Sequence, residues 1–183
     1  RAEGPYLWDV QGNKYLDMLS GYGVFGLGRN HPDVRRVLIE FLDLNYPSLV
    51  KMEAPLLCGL LAEQLKQRMP NQLDMVFFTN SGAEGMETAL KYAKCATGKP
   101  AIIHCAKAFH GLSYGALSVN GDESFREGFA PFLPDCRKIP FNDLDALEQE
   151  LRKKDVAAFV VEPLQGKVVN LPLSKLAGGY RKR

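Results

Sequence analysis

The clearest pattern of hydrophobic and polar positions lies between residues 73 and 105. Residues 73–78 form a short apolar run that gives way to the polar stretch Thr79-Asn80-Ser81. From Met86 onward, apolar residues recur at i, i+3, i+4 and i+7, which is typical of an amphipathic helix. Gly98-Lys99-Pro100 is a helix stop, and residues 101–105 are again apolar. The pattern predicts a βαβ unit with parallel strands, made of strand 73–79, helix 83–97 and strand 101–105.

The N-terminal part of the chain shows a hairpin pattern followed by two helical patterns. Residues 6–10 and 14–18 are separated by Gln11-Gly12-Asn13, which predicts a β-hairpin. Two helices are predicted next, one beginning near Pro32 and ending before Pro47, the other from about Glu53 to Met69. The apolar residues expected to face inward on these helices are Val34, Val37, Leu38, Phe41, Leu42, Leu57, Leu60, Leu61 and Leu65.

The C-terminal part predicts one more helix and one more strand. A short helical piece is expected near 112–118, followed by a largely irregular stretch from Asn120 to Pro134. A helix should begin at Asp143, with Lys153 and Lys154 at its end, where cations suit the helix dipole. Residues 156–161 form a continuous apolar run, as expected of a strand buried on both faces. A first helical turn is expected at residues 178–180.

A glycine pattern, G-x-G-x-x-G, occurs at Gly21, Gly23 and Gly26. A dinucleotide site needs a strand directly before the pattern and a helix opening at its third glycine. Here the preceding strand belongs to a hairpin, and a helix can begin only near Pro32. A close-packed loop is therefore favoured over a nicotinamide-binding site.

Composition and charge narrow the class of protein. The 183 residues carry a net charge of +2, which gives no reason to expect nucleic acid or a membrane surface as a partner. No apolar run is long enough to span a bilayer, and the first residues show no signal-peptide pattern. Because the chain opens on Arg1 and not on Met, its natural start is expected to be missing. The four cysteines and three histidines show no metal-ligand spacing, so buried thiols in the cytosol are expected, with no metal.

Residues that could bind a ligand occur in three places, each after a predicted strand. Ser81-x-x-Glu84 is a capping box, and Gly82 lets the backbone approach a ligand at the free end of a helix, where anions bind. Phe109-His110 follows the strand 101–105, and Glu162 with Gln165 follows the strand 156–161. In an open α/β sheet, ligands bind at the carboxyl ends of the strands. Together these groups suit a planar, phosphorylated cofactor, because an aromatic ring can stack on a heterocycle.

Each of these features also has an ordinary structural interpretation. Ser81-x-x-Glu84 serves as a helix cap in many proteins that bind nothing there. Phe109 taken alone fits a core aromatic residue, and His110 fits a loop histidine bonded to a carbonyl. Glu162, which precedes a proline, fits a turn cap. Only the agreement of the three features favours a binding site.

The same residues carry a resemblance to a known family. Residues 80–91, Phe109-His110-Gly111 and Glu162-Pro163-Leu164-Gln165-Gly166 resemble motifs of the class III aminotransferases, the ornithine and 4-aminobutyrate type. The opening hairpin and residues 28–32 are similar to the family's N-terminal region, so the resemblance covers residues 3 to about 180. One departure is Gly85, where the family usually has alanine.

The resemblance implies a fold, a cofactor and roles for individual residues. It implies an α/β chain: part of the large domain of a fold-type I pyridoxal phosphate transferase (residues 53–183), preceded by an N-terminal segment (residues 1–52). Pyridoxal 5′-phosphate is the implied cofactor. The residues implied to bind it are Ser81, Gly82 and Ala83 at the phosphate, Phe109 stacked on the ring with His110 beside it, and Glu162 and Gln165 along the ring. Tyr22 and Phe25 are implied to shape the substrate pocket.

The resemblance also implies what the chain lacks. The family's later Asp-Glu-x-Gln segment and its Schiff-base lysine have no counterpart before Arg183. Lys167, Lys175 and Lys182 lie in the wrong context to replace that lysine, so no catalytic residue is assigned. The parent enzyme is expected to be a cytoplasmic homodimer that moves an amino group between an amine or amino acid and an oxo acid. The chain alone is expected to be inactive. The alternatives are a phospholyase, racemase or aminomutase of the same family, or a non-catalytic product, either a truncated paralogue or a dimerisation piece.

Overall fold

The computed structural model describes residues 1–46, 55–70 and 73–171, and the chain divides into two compact units. The first unit runs from Arg1 to Gln64 and the second from Leu65 onward. The predicted helix start at Glu53, the helical turn at 178–180 and the lysines at 175 and 182 lie outside the described residues. Within the described ranges, no helix is long and apolar enough to cross a membrane.

The first unit opens with a small antiparallel sheet. Its strands are β1 (Ala2–Glu3), β2 (Tyr6–Trp8) and β3 (Lys14–Leu16), in the order β1-β2-β3. Asp9 shapes the turn between β2 and β3, because its Oδ1 accepts the N–H groups of Gln11 and Asn13 at 3.0 and 2.9 Å. The predicted hairpin is confirmed.

The glycine pattern at residues 21–26 forms a series of turns. Ser20 and Tyr22 adopt positive φ angles of 51° and 57°, as do neighbouring glycines. The first helix after this loop is α1 (Pro32–Asp43), with proline in its first turn as predicted. The strand-turn-helix context of a dinucleotide site is therefore missing from this described segment.

The helices α1 and α2 (Leu56–Lys66) form where the apolar periodicity predicts them. The prediction that their apolar stripes face inward is largely wrong, because most of these side chains are more than half exposed. The exposed members are Val34, Val37, Leu38, Leu42, Leu57, Leu60 and Leu61. A periodic stripe indicates which face of a helix favours burial, but it does not supply the surface that would cover it.

Where the structure describes the second unit, after α2, it contains three helices, three strands and one 3₁₀ turn. In chain order they are α3 (Gly82–Thr97), β4 (Ala101–Cys105), α4 (Tyr114–Ser118), the 3₁₀ turn Glu123–Phe125, β5 (Cys136–Ile139), α5 (Leu144–Arg152) and β6 (Val156–Val160). The three strands form a parallel sheet in the order β5-β4-β6, with Ile103 of β4 aligned between Arg137 and Phe159. All of these elements were predicted except the 3₁₀ turn and β5.

The core of this unit lies on both faces of β4, whose five residues are all buried. On one face Ile103 and Cys105 pack with Ile139 and with Leu147 of α5. On the other face Ile102 packs with Leu90 of α3 and with Val119, which follows α4. Every β6 residue is only partly buried, because β6 lies at the edge of the described sheet and β4 lies at its centre.

The prediction of a strand at residues 73–79 is wrong for the described structure. These residues form no sheet ladder, and Met75 is 89% exposed. Both edges of β4 are already paired, one with β5 and the other with β6. The outer edges of β5 and β6 carry no further strand among the described residues, and this segment pairs with neither of them. The helix and second strand of the predicted βαβ unit are confirmed.

Local capping signals fix the ends of α3. Ser81 is the N-cap, and its Oγ accepts the Glu84 N–H at 3.1 Å; the Glu84 carboxylate accepts the Asn80 N–H at 2.7 Å. At the other end Gly98 adopts a left-handed conformation, with φ 65°. The predicted capping box and helix stop are confirmed.

Replacing Gly85 with alanine is expected to stabilise this helix. A Cβ at Gly85 would lie 3.5 Å from Thr79 Oγ1, which is ordinary van der Waals contact, and alanine favours a helix over glycine by about 0.5–1 kcal/mol. Thermal or urea unfolding measures the gain. Gly98→Ala is the matched control and should destabilise by about 1 kcal/mol, since its space is open but its φ is positive. A Gly85→Ala protein less stable than the parent would contradict this description of the first turn.

Candidate functional site

The parallel sheet brings together two of the segments that the sequence singles out. β4 and β6 run in the same direction, so the residues that follow them meet at one edge of the sheet. There the Phe109 N–H donates to Glu162 Oε2 at 3.4 Å, although the two residues are 53 positions apart in the chain. Phe109 and Glu162 are therefore neighbours, as the sequence predicted.

The start of α3 presents unpaired backbone donors. The N–H groups of Gly82 and Ala83 lie in the first helical turn and have no intrahelical acceptor, and no other acceptor for them occurs among the described residues. Nothing lies within 4 Å of the position a Cβ would take at Gly82, so the approach to these donors is open. The positive end of the helix dipole adds to the attraction for an anion.

The loop that follows β4 packs against this end of α3 at Gly111. A Cβ at Gly111 would lie 2.8 Å from the Cβ of Ala83 and 3.0 Å from its Cα, and the glycine has a φ of 118°. Only glycine permits this close approach. The three segments predicted to form a site are thus connected through Gly111–Ala83 and Phe109–Glu162.

Phe109 is partly held and partly open. Its ring meets Phe125 edge to face, with centroids 5.3 Å apart, while the side chain remains 39% exposed. Lys167 lies over the Phe125 ring, with Nζ 4.1 Å from the centroid, and forms an ion pair with Asp122. This packing fixes Phe109 from one side and leaves ring surface available for stacking.

His110 is held in its neutral form. Burial lowers its pKa to about 4, because a charged imidazole would lose its hydration there. Its Nε2 is buried and has no hydrogen-bond partner among the described residues. A buried nitrogen without a partner carries a cost in free energy, which a hydrogen bond with a bound group or a water would remove.

Glu162 and Gln165 differ in how freely they can meet a ligand. Burial raises the pKa of Glu162, and the Phe109 N–H opposes that rise. Gln165 is completely buried; its Nε2 donates to the Ala106 carbonyl at 2.8 Å and its Oε1 accepts from Asn170 Nδ2 at 2.9 Å. The Gln165 amide therefore links residues 165–170 to Ala106, just after β4. These bonds use only one of the two hydrogens on Nε2.

Sequence reasoning missed three polar side chains that support these segments. Glu87 accepts hydrogen bonds from the residues that open α4. Asn120, fully buried, donates to the Gly111 carbonyl at 3.2 Å. Arg126 donates to three carbonyls, of Leu117, Ser118 and Asn120. The position of Glu87 inside the motif at residues 80–91 was the one available signal.

Tyr22 and Phe25 belong to the first unit. Tyr22 is almost fully exposed, and the Phe25 ring lies 4.2 Å from the Arg29 guanidinium carbon. Their role at a substrate pocket stays a prediction. Among the described residues, no group of three or more His, Cys, Asp or Glu side chains could hold a metal ion.

Comparison with known proteins gives one consistent family. The model of the family described as Aminotransferase class-III matches residues 1–174. The chain is 39% identical over 167 residues to Aminotransferase PigE of a Serratia species, covering 91% of this chain and 20% of that protein. It is also 39% identical over 175 residues to acetylornithine aminotransferase of Bacillus cereus, covering 94% of this chain and 44% of the relative.

Solved structures agree with this family. Ornithine aminotransferase from Toxoplasma gondii, described with partial occupancy of pyridoxal phosphate at its active site, superposes with a TM-score of 0.92 at 28% identity. The match covers all of this chain and 44% of that one. The expected fold, part of a pyridoxal phosphate-dependent aminotransferase with a parallel sheet, flanking helices and an N-terminal hairpin, is confirmed. The chain spans less than half the length of these relatives, and it belongs to the class-III aminotransferase family.

Proposed function

We propose that this chain forms the phosphate- and ring-binding part of a pyridoxal 5′-phosphate-dependent aminotransferase. The observation that carries the proposal is the pair of unpaired N–H groups at Gly82 and Ala83, directly beside the loop that bears Phe109. Helix N-termini with free N–H groups bind phosphate. Family membership supports the same cofactor, because the T. gondii relative is described with pyridoxal phosphate at its active site.

The residues present fit this cofactor. A phosphate needs an open approach to several donors, and Gly82 provides that approach because it carries no side chain. A flat pyridine ring needs an aromatic surface, which the exposed part of Phe109 offers. The unpaired Nε2 of His110 gives one more polar contact in the same loop.

Each residue then has a defined task. Gly82 and Ala83 N–H groups, with Ser81 beside them, would bind the phosphate. Phe109 would stack on the ring. Glu162 would line the ring, where it accepts a proton or a hydrogen bond more readily because burial raises its pKa. Gln165, whose amide already bonds Ala106 and Asn170, would hold residues 165–170 beside the ring. When bound, pyridoxal phosphate supplies the electron-withdrawing ring that stabilises negative charge beside the transferred nitrogen.

The scope of the proposed activity follows from the family. The whole protein moves an amino group from an amine or amino acid to an oxo acid, and acts as a homodimer. Tyr22 and Phe25 contribute to the substrate pocket. The 183 residues on their own bind the cofactor without completing transamination, since no lysine among them occupies the context of the family's Schiff-base lysine.

Equilibrium binding of pyridoxal phosphate and of pyridoxal, which lacks the phosphate, tests the proposal. The protein containing this chain should bind the phosphorylated form about 100-fold tighter, because charge-assisted hydrogen bonds to Gly82 and Ala83 are worth roughly 1.5–3 kcal/mol each. Gly82→Asp should remove that preference by like-charge repulsion and by filling the open space. Phe109→Leu should weaken binding of both molecules by about tenfold.

Ala96→Asp serves as the control, because it adds the same charge to an exposed position near the other end of α3. It should keep the preference for the phosphorylated molecule. Equal affinity of the unmodified protein for pyridoxal and pyridoxal phosphate, or an unaltered preference in Gly82→Asp, would overturn the proposed phosphate site.

A further inference from the structure

Glu87 makes an unusual number of contacts for one carboxylate. Its Oε1 accepts hydrogen bonds from Ser113 Oγ at 2.6 Å, the Gly115 N–H at 2.7 Å and the Ala116 N–H at 3.1 Å. All three donors lie at the start of α4, whereas Glu87 lies on α3. Hydrogen bonds to a charged acceptor are stronger than those between neutral groups.

Two glycines make this contact between α3 and the loop before α4 possible. A Cβ at Gly115 would overlap Glu87 Oε2 and lie 2.8 Å from its Cδ. One helical turn before Glu87, Ala83 is equally close to Gly111, where a Cβ would lie 2.8 Å from the Ala83 Cβ. On the far side of the loop, Asn120 Nδ2 donates to the Gly111 carbonyl. Residues 111–116 are therefore held from both sides.

We propose that Glu87 is a positioning residue for the cofactor: it fixes the loop that carries Phe109 and His110 at a set distance from the phosphate-binding end of α3. This inference rests on the proposed function and extends it to a residue that touches no part of the cofactor. Glu87 lies one helical turn beyond Ala83, and Ser113 lies four residues beyond Phe109. The contact thus joins the two parts of the molecule that must meet the phosphate and the ring at the same time.

Loss of the Glu87 contacts is expected to lower the affinity for the cofactor, and not only the stability of the fold. A phosphate and a ring that belong to one rigid molecule are bound well only when the two groups that bind them keep a fixed separation, since ordering a loose loop on binding costs conformational entropy and lowers the affinity. Removing Glu87 leaves three donors without their acceptor and frees the loop from α3.

The test compares Glu87→Ala with Glu87→Gln in the protein that contains this chain, with pyridoxal phosphate as the probe. Because Oε1 alone accepts all three bonds, the amide oxygen of glutamine can replace it. Glu87→Ala should weaken pyridoxal phosphate binding by at least about tenfold, and Glu87→Gln should stay within about threefold of the parent. Leu90→Ala, which weakens the packing of the same helix without touching the loop, is the control for stability and should also stay within about threefold.

Gly115→Ala tests the same contact independently of any change at Glu87. The added methyl group would displace the Glu87 carboxylate, so Gly115→Ala should reproduce the loss seen in Glu87→Ala. In a Glu87→Ala background the same methyl group meets no carboxylate and should cost nothing more. Such non-additivity in a double-mutant cycle identifies residues that act through one contact.

Three results would overturn the inference: Glu87→Ala binding pyridoxal phosphate like the parent, Glu87→Gln failing as badly as Glu87→Ala, or Gly115→Ala weakening binding equally in both backgrounds. The proposed function is judged separately by the preference for pyridoxal phosphate over pyridoxal and its loss in Gly82→Asp. If that preference exists while Glu87→Ala changes nothing, only the positioning role fails. If the parent shows no preference, both fail.

Discussion

The Gly121→Ala protein is expected to lose at least about 3 kcal/mol of unfolding free energy, and to fold poorly if the parent is marginally stable. A Cβ at Gly121 would overlap the carbonyl oxygen of Cys105 and lie 2.7 and 2.8 Å from the backbone nitrogens of Lys107 and Ala108. These are backbone atoms and cannot move aside as a side chain can. The Gly121 carbonyl accepts the Lys107 N–H, and the Gly121 N–H donates to the Ala108 carbonyl, both at 2.9 Å. A methyl group at Gly121 would break these bonds and so disrupt the loop leading to Phe109.

Denaturant unfolding of Gly121→Ala beside Gly166→Ala measures this effect. A Cβ at Gly166 would meet nothing within 4 Å, and its φ is not positive, so that control should change stability by less than about 0.5 kcal/mol. Equal stability of the two variants would contradict the close approach of Gly121 to the end of β4.

Mild acid is expected to destabilise the protein through its buried histidines. His104, only 2% exposed, has a pKa lowered to about 4, first by burial and then by Arg126, His110 and Lys138. Glu123, whose own pKa is lowered in part by His104, pairs with both Arg126 and Lys138. Since the unfolded pKa is near 6.5, the stability that neutral His104 contributes is fully present above pH 6.5. It is lost as the pH falls toward 4.

The expected loss from His104 is about 2 kcal/mol between pH 7.5 and 5, and His110 adds to it because burial lowers its pKa to about 4 as well. Urea unfolding across this range measures the slope. His104→Leu should reduce the slope to about half, the part that His110 contributes, whereas Ile102→Val, on the same face of β4, should lower stability at every pH and keep the slope. An unchanged slope in His104→Leu would contradict a neutral, buried His104.

Local signals in the sequence were enough to predict elements whose ends are set by their own residues. Ser81 with Glu84 begins α3, Gly98 ends it, and Asp143 begins α5 by accepting the Ala146 N–H at 2.8 Å. The short, mostly apolar segment 101–105 and the continuous apolar run 156–161 identified β4 and β6. In each case the determining contact lies within a few residues, where composition and spacing carry the information.

Elements that depend on distant partners could not be predicted in the same way. β5 carries Arg137 and Lys138 in four residues, so it lacks an apolar pattern; its place comes from pairing with β4 and from the bonds between Arg137 and Asp155. Residues 73–79 have the apolar pattern of a strand but no ladder partner among the described residues. A hydrophobic pattern indicates that a segment tends to be buried, but it does not indicate which strand that segment will pair with.

The candidate site likewise contains some residues that the sequence could identify and others that it could not. Gly82, Phe109 and Glu162 were identified because they follow predicted elements, and the parallel sheet explains why Phe109 and Glu162 meet. Glu87 and Asn120 were not identified, because their function lies in contacts to residues 9–29 positions away. Side chains that support a site from a distance in sequence have no local signature.

A crystal structure of the protein that contains this chain, grown with pyridoxal 5′-phosphate, tests the central claim most directly. The proposed site predicts phosphate oxygens within hydrogen-bond distance of the Gly82 and Ala83 nitrogens, about 2.7–3.2 Å, with the pyridine ring stacked on Phe109. A phosphate held by other groups, with the start of α3 empty and Phe109 away from the ring, would contradict the claim.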